Sequence, residues 1–488
     1  MSAAATPDAS RFAQAIALYQ DGRLEQARDA LRALLDDTPR LALAWNALGH
    51  VERDCGDSGA AAAAFDRALA IDQDDDIALR GRARIALERD EENALARYAA
   101  LQRAHPDDLH LLLEATEAGL SAHVPNALAP LRTQVEAHPE WIEGPIELAR
   151  LAWEHEGENG FDSHLSRSAQ SGRLDGLQWR AWIELLADCG DYSRAADVTR
   201  QAQALLGGPD LALMEAVCAG KAGDLQRAEA CLAALPAAFP GRTVHDAVHA
   251  IRVGELERAR SLLDALLVQN PTDVSAWGLA ELVYRALGDP RSDWLSGRDG
   301  FVETIRLPLS ESELAGVARV LRDSIARGRL VAGQSVRGGR QTRWRPLDRP
   351  DPELAPLRCA LTGAIENYQA RLPAADAAHP LLRHRDLRWR VTGNWAVRLT
   401  GGGRHVSHIH SLGIVSSACY IVVPPAGTSG GVLELGRPPS DLRLNLPPIR
   451  TVKPVPGELT LFPSYLHHGT TSFENGERIT FAFDVLPA

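Results

Sequence analysis

Three histidines and one arginine near the C-terminus have a spacing that suits metal and anion binding. His408 and His410 are two residues apart, and His468 follows about sixty residues later. Side chains two residues apart on an extended strand point to the same side, so both imidazoles can reach one ion. A third imidazole from a distant strand would complete a facial set with open coordination positions, which is the usual arrangement for ferrous iron. The pattern therefore predicts an iron pocket.

Arg478 follows ten residues after His468 and is predicted to anchor an acidic cosubstrate. If His468 ends one strand and Arg478 lies on the next, antiparallel strand, the guanidinium points back into the barrel. There it can pair bidentately with a carboxylate. The alternative is a structural ion pair with Asp484 or Glu477.

Two other histidines lie beside these candidates. His405 precedes His408 by three residues, and this odd offset should turn its side chain to the opposite face of a regular strand. His467 and His468 are adjacent, so only one of the two can face inward.

Residues 291–488 are predicted to form a β domain with flanking helices. Helices are expected over 309–326, with Ser310 as N-cap and Glu313 completing a capping box, and over 354–371. Gly and Pro turns separate short extended runs, which indicates an antiparallel sandwich or jelly roll. These runs cover 395–399, 415–423, 431–435, 458–462 and 478–485. The glycine-rich segment 337–342 lacks the ending of a phosphate loop and is predicted as a loop lining the substrate entrance.

Residues 8–290 are predicted to form an array of helical hairpins. Small residues recur in similar contexts at intervals close to 33 residues, apart from one doubled interval that hides a degenerate unit around residues 141–174: Ala27, Ala61, Ala94, Ala127, Ala195, Ala228 and Ala259. Such a recurrence marks a helix-turn-helix unit that must stack on copies of itself. In the second unit Trp45, Leu48, Gly49, Ala61, Phe65 and Ala68 match the tetratricopeptide pattern, so this region resembles that family. We expect seven or eight helix pairs and a last, partly capping helix from Trp277 to Leu287.

Composition excludes several classes of protein. The chain has 488 residues and a net charge of -12, which argues against nucleic acid as a partner. Its six cysteines include no CxxC pair, so we expect a reducing cytoplasm rather than a disulfide framework. Neither a signal peptide nor an apolar run long enough to enter a membrane is expected.

The C-terminal region, over roughly residues 290–488, resembles the 2-oxoglutarate and Fe(II)-dependent oxygenases that are fused to tetratricopeptide arrays. Seven runs carry the resemblance: QSVRGGRQT, HPLLRHR, NWAVRL, HVSHIH, SSACYIVVP, PGELTLFPSYLHHGT and ERITFAFDVLP. The resemblance implies a double-stranded β-helix and iron ligation by His408 and His468, with His410 in the third place. It also implies that Arg478 binds the cosubstrate carboxylate, with Thr480 or Tyr420 as helpers, and that His468 faces inward rather than His467.

One position departs from the family pattern H-x-D…H, because His410 stands where the aspartate is expected. A neutral imidazole there leaves the ferrous centre one unit more positive. Two arrangements stay open: three histidines bind the iron, or two histidines do and water completes the set.

The function implied is an Fe(II)- and 2-oxoglutarate-dependent dioxygenase that hydroxylates a polypeptide held by the repeat array. One alternative is a three-histidine oxygenase that does not use 2-oxoglutarate. The other is a non-catalytic repeat scaffold with a degenerate β domain.

Overall fold

The computed structural model describes residues 7–157, 159–328, 332–425 and 427–487. The chain divides into two compact units, residues 1–137 with 344–352, and residues 138–343 with 353–488. This division reflects compactness and does not test the domain boundary between residues 290 and 291, which stays a prediction.

The first unit contains four helical hairpins. Its helices are α1 (Pro7–Gln20), α2 (Leu24–Asp37), α3 (Ala42–Asp54), α4 (Ser58–Ile71), α5 (Asp76–Glu88), α6 (Ala94–Ala104), α7 (Leu109–Ser121) and α8 (Ala129–Ala137). The segment 344–352 packs on these hairpins, with the Trp344 ring 5.1 Å from the Arg84 guanidinium carbon and Arg349 paired with Asp90.

The second unit continues the hairpins and adds two helices within the β domain. Its helices are α9 (Glu143–Glu156), α10 (Ser163–Gln170), α11 (Gly176–Asp188), α12 (Tyr192–Leu206), α13 (Pro209–Ala222), α14 (Leu225–Ala234), α15 (Arg242–Arg252), α16 (Leu256–Gln269), α17 (Val274–Leu287), α18 (Glu311–Ala326) and α19 (Ala355–Arg371). Within the described residues, α1 to α16 thus form eight successive pairs before α17, and the predicted repeat array is confirmed.

Small residues at the repeat positions allow the helices to approach closely. Ala27, Ala61 and Ala195 have no exposed surface. A Cβ atom on Gly49 would lie 2.7 Å from the Phe65 ring, and one on Gly81 would lie 2.4 Å from it. The two glycines therefore make room for the large residue that fills the groove between the neighbouring helices.

Two antiparallel sheets form the β domain. The described strands are β1 (Glu303–Arg306), β2 (Val336–Gln341), β3 (Trp389–His405), β4 (Val415–Val422), β5 (Leu433–Leu435), β6 (Arg450–Val452), β7 (Glu458–Pro463), β8 (His468–Thr470) and β9 (Glu477–Pro487). One sheet has the order β1-β7-β4-β9-β3-β2 and the other the order β6-β5-β8. This arrangement confirms the predicted jelly-roll class.

The sequence located the long elements of this domain well. Ser310 caps α18 and forms the predicted capping box with Glu313. All five predicted extended runs overlap a strand, whereas β1, β2, β6 and β8 were not among them.

The prediction of a loop at 337–342 was wrong as to the backbone, because residues 337–341 belong to the edge strand β2, although Arg337 and Gln341 do line the cleft beside the histidines. A register shift between Arg337 and Gly339 interrupts its pairing with β3. Gly338 has a φ of +69° and lies against Gly403, so the bulge is a position where only glycine fits easily. The glycines that suggested a loop therefore serve a bulge.

The last helix of the array, α17, is packed against the β domain. A Cβ atom on Gly278 would lie 2.9 Å from the backbone oxygen of Tyr465. No helix among the described residues is long and apolar enough to cross a bilayer.

His379 gives the second unit a pH-dependent stability. Its side chain has no exposed surface, and its Nδ1 accepts hydrogen bonds from the backbone nitrogens of Leu381 and Leu382 at 3.1 and 3.2 Å. Burial lowers the pKa of His379 to about 4. Between pH 6.5 and pH 4 the unfolded chain binds a proton here and the folded chain does not. As the pH is lowered through this range, we expect the free energy of unfolding to decrease. The contribution of His379 to this decrease is up to about 1.4 kcal/mol per pH unit.

Chemical denaturation at several pH values measures this slope. A His379→Gln variant should show a shallower dependence on pH than the wild type between pH 6.5 and pH 4. Identical slopes would contradict the assignment.

Candidate metal centre

Backbone pairing brings His408 and His468 together. The two residues form an antiparallel bridge, with N–H···O distances of 3.0 Å from His408 to His468 and 2.8 Å in the reverse direction. His408 and His410 lie in the segment between β3 and β4, and His468 is the first residue of β8. The histidines therefore meet where the segment between β3 and β4 pairs with the first residue of β8.

The three side chains are close enough to share one ion. Their ligand atoms all lie within 4.8 Å of one another. The Nε2 atoms of His408 and His410 are 3.1 Å apart. The ring centroid of His468 is 4.2 Å from that of His408 and 4.8 Å from that of His410.

Hydrogen bonds at Nδ1 orient all three rings. His408 donates to the backbone oxygen of Val406 at 2.9 Å, and His468 donates to that of Leu466 at 3.0 Å. His410 donates to Oδ1 of Asp484 at 2.6 Å. A proton held at Nδ1 leaves the lone pair at Nε2, so each ring presents its ligand nitrogen to the shared space.

Burial keeps the imidazoles of His408 and His468 neutral. It lowers the pKa of His408 to about 3, and the nearby His410 adds to the effect. Burial also lowers the pKa of His468 well below its usual value. Neutral imidazoles are the form that binds a metal, so little proton release is needed at neutral pH.

Asp484 is a functional candidate whose role the sequence reasoning missed. Its Oδ1 accepts from His410 and also from Oγ of Ser416 at 2.9 Å. The sequence suggested Asp484 only as an ion-pair partner of Arg478. It lies six residues after Arg478 on β9, so the period of two places both on one face of the strand, and this signal was available in the sequence.

Arg478 reaches the same cavity from the larger sheet. It lies on β9, which pairs with β3 and β4, whereas β8 pairs with β5. Arg478 therefore lies on the strand that follows that of His468, as supposed, but the two strands belong to different sheets and do not pair. The guanidinium still faces inward, because the two sheets face each other across the cavity that both residues line.

The Arg478 guanidinium is buried without a carboxylate. The residue is 2% exposed and donates from Nη1 to the backbone oxygen of Gly431 at 2.8 Å and from Nε to Oγ1 of Thr480 at 3.2 Å. No acidic side chain in the described part of the chain pairs with it, and Glu477 pairs with Arg322 and Arg398 instead. Burial lowers the pKa of Arg478. A buried cation with unused donor capacity fits the carboxylate of a bound molecule.

The two suggested helpers lie beside this arginine. Thr480 faces Tyr420 across the β4–β9 pairing, and the Tyr420 ring centroid is 6.0 Å from the Arg478 guanidinium carbon. The Tyr420 hydroxyl is buried near Thr460 and makes no well-formed hydrogen bond within the described residues. A buried hydroxyl with spare hydrogen-bonding capacity next to an unpaired guanidinium suits an acidic ligand.

His405 and His467 differ in their relation to the cavity. His405 lines the cavity together with His408, so the expectation that it faces away was wrong. The reason is that β3 ends at His405, so the regular alternation of side chains does not continue to His408. Nδ1 of His405 lies 3.0 Å from Oγ of Ser335. His467 is buried but lies outside the three-histidine cluster.

Residues 393–484 match the family model described as "Putative 2OG-Fe(II) oxygenase". No curated protein matches the chain. Among solved structures, a viral collagen prolyl hydroxylase from Paramecium Bursaria Chlorella virus-1 is 13% identical, with a TM-score of 0.27, over 38% of this chain and 96% of that chain. Yeast Tom70 is 15% identical, with a TM-score of 0.40, over 59% of this chain and 67% of its own.

A tetratricopeptide repeat protein from Parabacteroides merdae is also similar, at 16% identity and a TM-score of 0.33, over 57% of this chain and 98% of that chain. At these values the similarities carry no information on substrate or activity. The family match supports the predicted cofactors, Fe(II) and 2-oxoglutarate, and the imidazoles and the unpaired arginine suit both. The part of the β domain over residues 393–484 is thus similar to the 2-oxoglutarate- and Fe(II)-dependent oxygenases, and it follows an array of tetratricopeptide-like helical hairpins.

Proposed function

We propose that this protein is an Fe(II)- and 2-oxoglutarate-dependent dioxygenase that hydroxylates a polypeptide side chain. The observation that supports this most strongly is the joint presence, in one cavity, of three imidazoles and an unpaired buried arginine. The imidazoles suit a ferrous ion, and the arginine suits a dicarboxylate cosubstrate.

His408, His410 and His468 would hold the iron, each through Nε2. We favour three histidines over two histidines and water, because His410 is already oriented by Asp484 toward the other two rings. The family pattern places a negatively charged aspartate at position 410. Here Asp484 supplies that negative charge indirectly, because it contacts His410 rather than the metal. Such carboxylate–histidine–metal arrangements raise the basicity of the ligand and fix its orientation.

Arg478 would bind the distal carboxylate of 2-oxoglutarate, with Thr480 and Tyr420 beside it. When bound, the iron and 2-oxoglutarate supply oxidative decarboxylation, in which O2 is split between succinate and the hydroxylated product and CO2 is released. The chain's part is to orient the cosubstrate and to keep bulk water away. Water is excluded by the apolar side chains in the cavity wall, which are Trp395, Val397, Ala418 and Leu433.

Asp484→Asn should weaken Fe(II) affinity by about 10- to 100-fold, the usual effect of changing a residue that supports a metal-bound histidine. Anaerobic Fe(II) titration of the purified protein measures this change. Glu477→Gln is the matched control, because Glu477 lies on the same strand and pairs with arginines rather than with a histidine. Equal affinities for wild type and Asp484→Asn would remove Asp484 from the site.

Aerobic incubation with Fe(II) and 2-oxoglutarate tests the proposed reaction. We expect succinate release that matches oxygen uptake, and a mass increase of one oxygen atom in a member of a peptide pool. Oxygen uptake without succinate would instead favour a three-histidine oxygenase that does not use 2-oxoglutarate. Neither iron binding nor oxygen uptake would leave only a repeat scaffold with a degenerate β domain.

We further propose that the array contributes the substrate contacts and that the protein acts in the cytoplasm. The first proposal is supported by helices of the second unit that border the metal centre. The second is supported by six cysteines that are all unpaired, as expected in a reducing compartment.

A further inference from the structure

A large cleft in the second unit leads to the three histidines. Its volume is about 1160 Å³, and His405, His408 and His410 form part of its wall. Small-molecule sites usually enclose about 300–1,000 Å³. The cleft is therefore larger than a small substrate requires.

Helices of the array form one side of this cleft. Asp188 at the end of α11, Tyr192 on α12, Lys221 on α13 and Arg252 on α15 all line it. The opposite side comes from the β domain, including the edge strand β2 and the end of β3. A ligand in the cleft would therefore touch array and metal centre together.

Several charges in the cleft are already neutralised by partners within the protein. Arg252 pairs with Asp441 at 2.6 Å, and Arg437 pairs with Glu434 at 2.5 Å. These two pairs contribute little net charge to a ligand in the cleft. Asp484 is hydrogen-bonded to His410 and keeps its negative charge.

Three cations of the cleft have no carboxylate partner among the described residues. The Lys221 ammonium lies 4.9 Å from the Tyr192 ring centroid and 3.5 Å from its hydroxyl. Within the same described ranges, Arg337 donates only to the backbone oxygens of Gln334 and Val336, and the exposed Arg404 makes no ion pair. Against these three cations stand two lining carboxylates of the described chain that no lysine or arginine pairs with, Asp188 and Asp484. Burial raises the pKa of Asp188, and the nearby Lys221 opposes this shift. The free charge of the cleft is thus positive, although the whole chain carries -12.

An exposed apolar side chain stands beside these cations. Leu412, two residues after His410, is 82% exposed and lines the cleft. An apolar group next to the metal centre, with cations on both sides of the cleft, suits a ligand with an apolar middle and acidic flanks.

We propose that the cleft binds an acidic polypeptide segment. Lys221 takes carboxylates on the array side, Arg337 and Arg404 take them on the β-domain side, and the residue between them reaches the histidines. Oxidation of that residue rests on the proposed function, whereas binding of the acidic segment does not. Charge complementarity of this kind governs partner choice and association rate. Nucleic acid is disfavoured, because three separate cations do not form the continuous basic track that a phosphate backbone requires.

The test uses the full-length protein and a fluorescein-labelled L-glutamate dodecapeptide, followed by fluorescence anisotropy without iron. An L-lysine dodecapeptide and a twelve-nucleotide single-stranded DNA serve as comparison probes. We expect binding of the glutamate peptide that weakens with added salt, and much weaker binding of the other two probes. The double variant Lys221→Glu with Arg404→Glu should weaken glutamate-peptide binding by at least about tenfold.

The matched control reverses two exposed cations elsewhere in the second unit, Arg173→Glu with Lys453→Glu. It changes the net charge by the same amount and should alter the affinity less than about twofold. Equal losses in both double variants, or no loss in either, would overturn the proposal. DNA binding as tight as peptide binding would also overturn it and assign the cleft to a nucleic acid. Because anisotropy needs neither iron nor O2, failure of the proposed reaction would not affect this result, and the two failures can be told apart.

Discussion

Replacing Arg478 by alanine should raise the dissociation constant for 2-oxoglutarate by at least about 30-fold, since truncating one partner of a buried charge pair costs about 2–5 kcal/mol. The guanidinium lies beside Tyr420 and Thr480, and no carboxylate of the described chain neutralises it. Without it, a dicarboxylate in this cavity would lose its charged partner. Isothermal titration of the iron-loaded protein under nitrogen measures the affinity directly.

Iron binding should survive this substitution, because Arg478 contacts none of the three imidazoles. Arg398→Ala is the matched control. Arg398 lies on β3 opposite Ile479 of β9, next to Arg478 in the register, and its partly exposed side chain forms an ion pair with Glu477. It should leave 2-oxoglutarate affinity almost unchanged. Loss of iron from Arg478→Ala with normal 2-oxoglutarate affinity would refute the assigned role.

Replacing His468 by alanine should lower Fe(II) affinity by more than about 100-fold, since even residues that only support a ligand are worth 10- to 100-fold. His468 is one of three side chains that converge on one point, and its removal leaves only two imidazoles of the cluster. Anaerobic titration with Fe(II), followed by metal analysis after gel filtration, measures the loss.

The adjacent His467 provides an unusually close control. It is buried to a similar extent, 5% exposed against 6% for His468, but lies outside the cluster. His467→Ala should keep its iron. If instead His467→Ala lost iron and His468→Ala retained it, the register of this segment would be assigned wrongly.

Residue spacing was enough to predict which side chains share one pocket, although His408 and His410 lie between β3 and β4 rather than on a strand. The offset of two between His408 and His410, and the distant His468 and Arg478, indicated a shared pocket. Irregular backbone limited the rest. His405 ends β3, so the alternation that was used to turn it outward no longer applied. The glycines of 337–342 were interpreted as a loop because a bulge in an edge strand has the same composition.

Long-range packing could not be predicted from these patterns. Tyr192 and Lys221 lie in hairpins whose repeat positions explain only how neighbouring helices pack. Their place beside the metal centre depends on contacts of the second unit such as Arg285 with the backbone oxygen of Gly436 at 2.6 Å and Arg252 with Asp441. Neither pair shows a sequence signal. Asp484 is different, because its even offset from Arg478 indicated that both side chains lie on one face of β9. Only its partner was predicted wrongly, as Arg478 instead of His410.

Anaerobic addition of Fe(II) and then 2-oxoglutarate to the full-length protein tests most directly whether imidazoles and arginine form one working site. We predict a weak visible charge-transfer band that saturates at one equivalent of iron and appears only when 2-oxoglutarate is present. His468→Ala should not develop the band, and Arg478→Ala should need a much higher 2-oxoglutarate concentration. No band from wild-type protein, or an unchanged band from His468→Ala, would contradict this account.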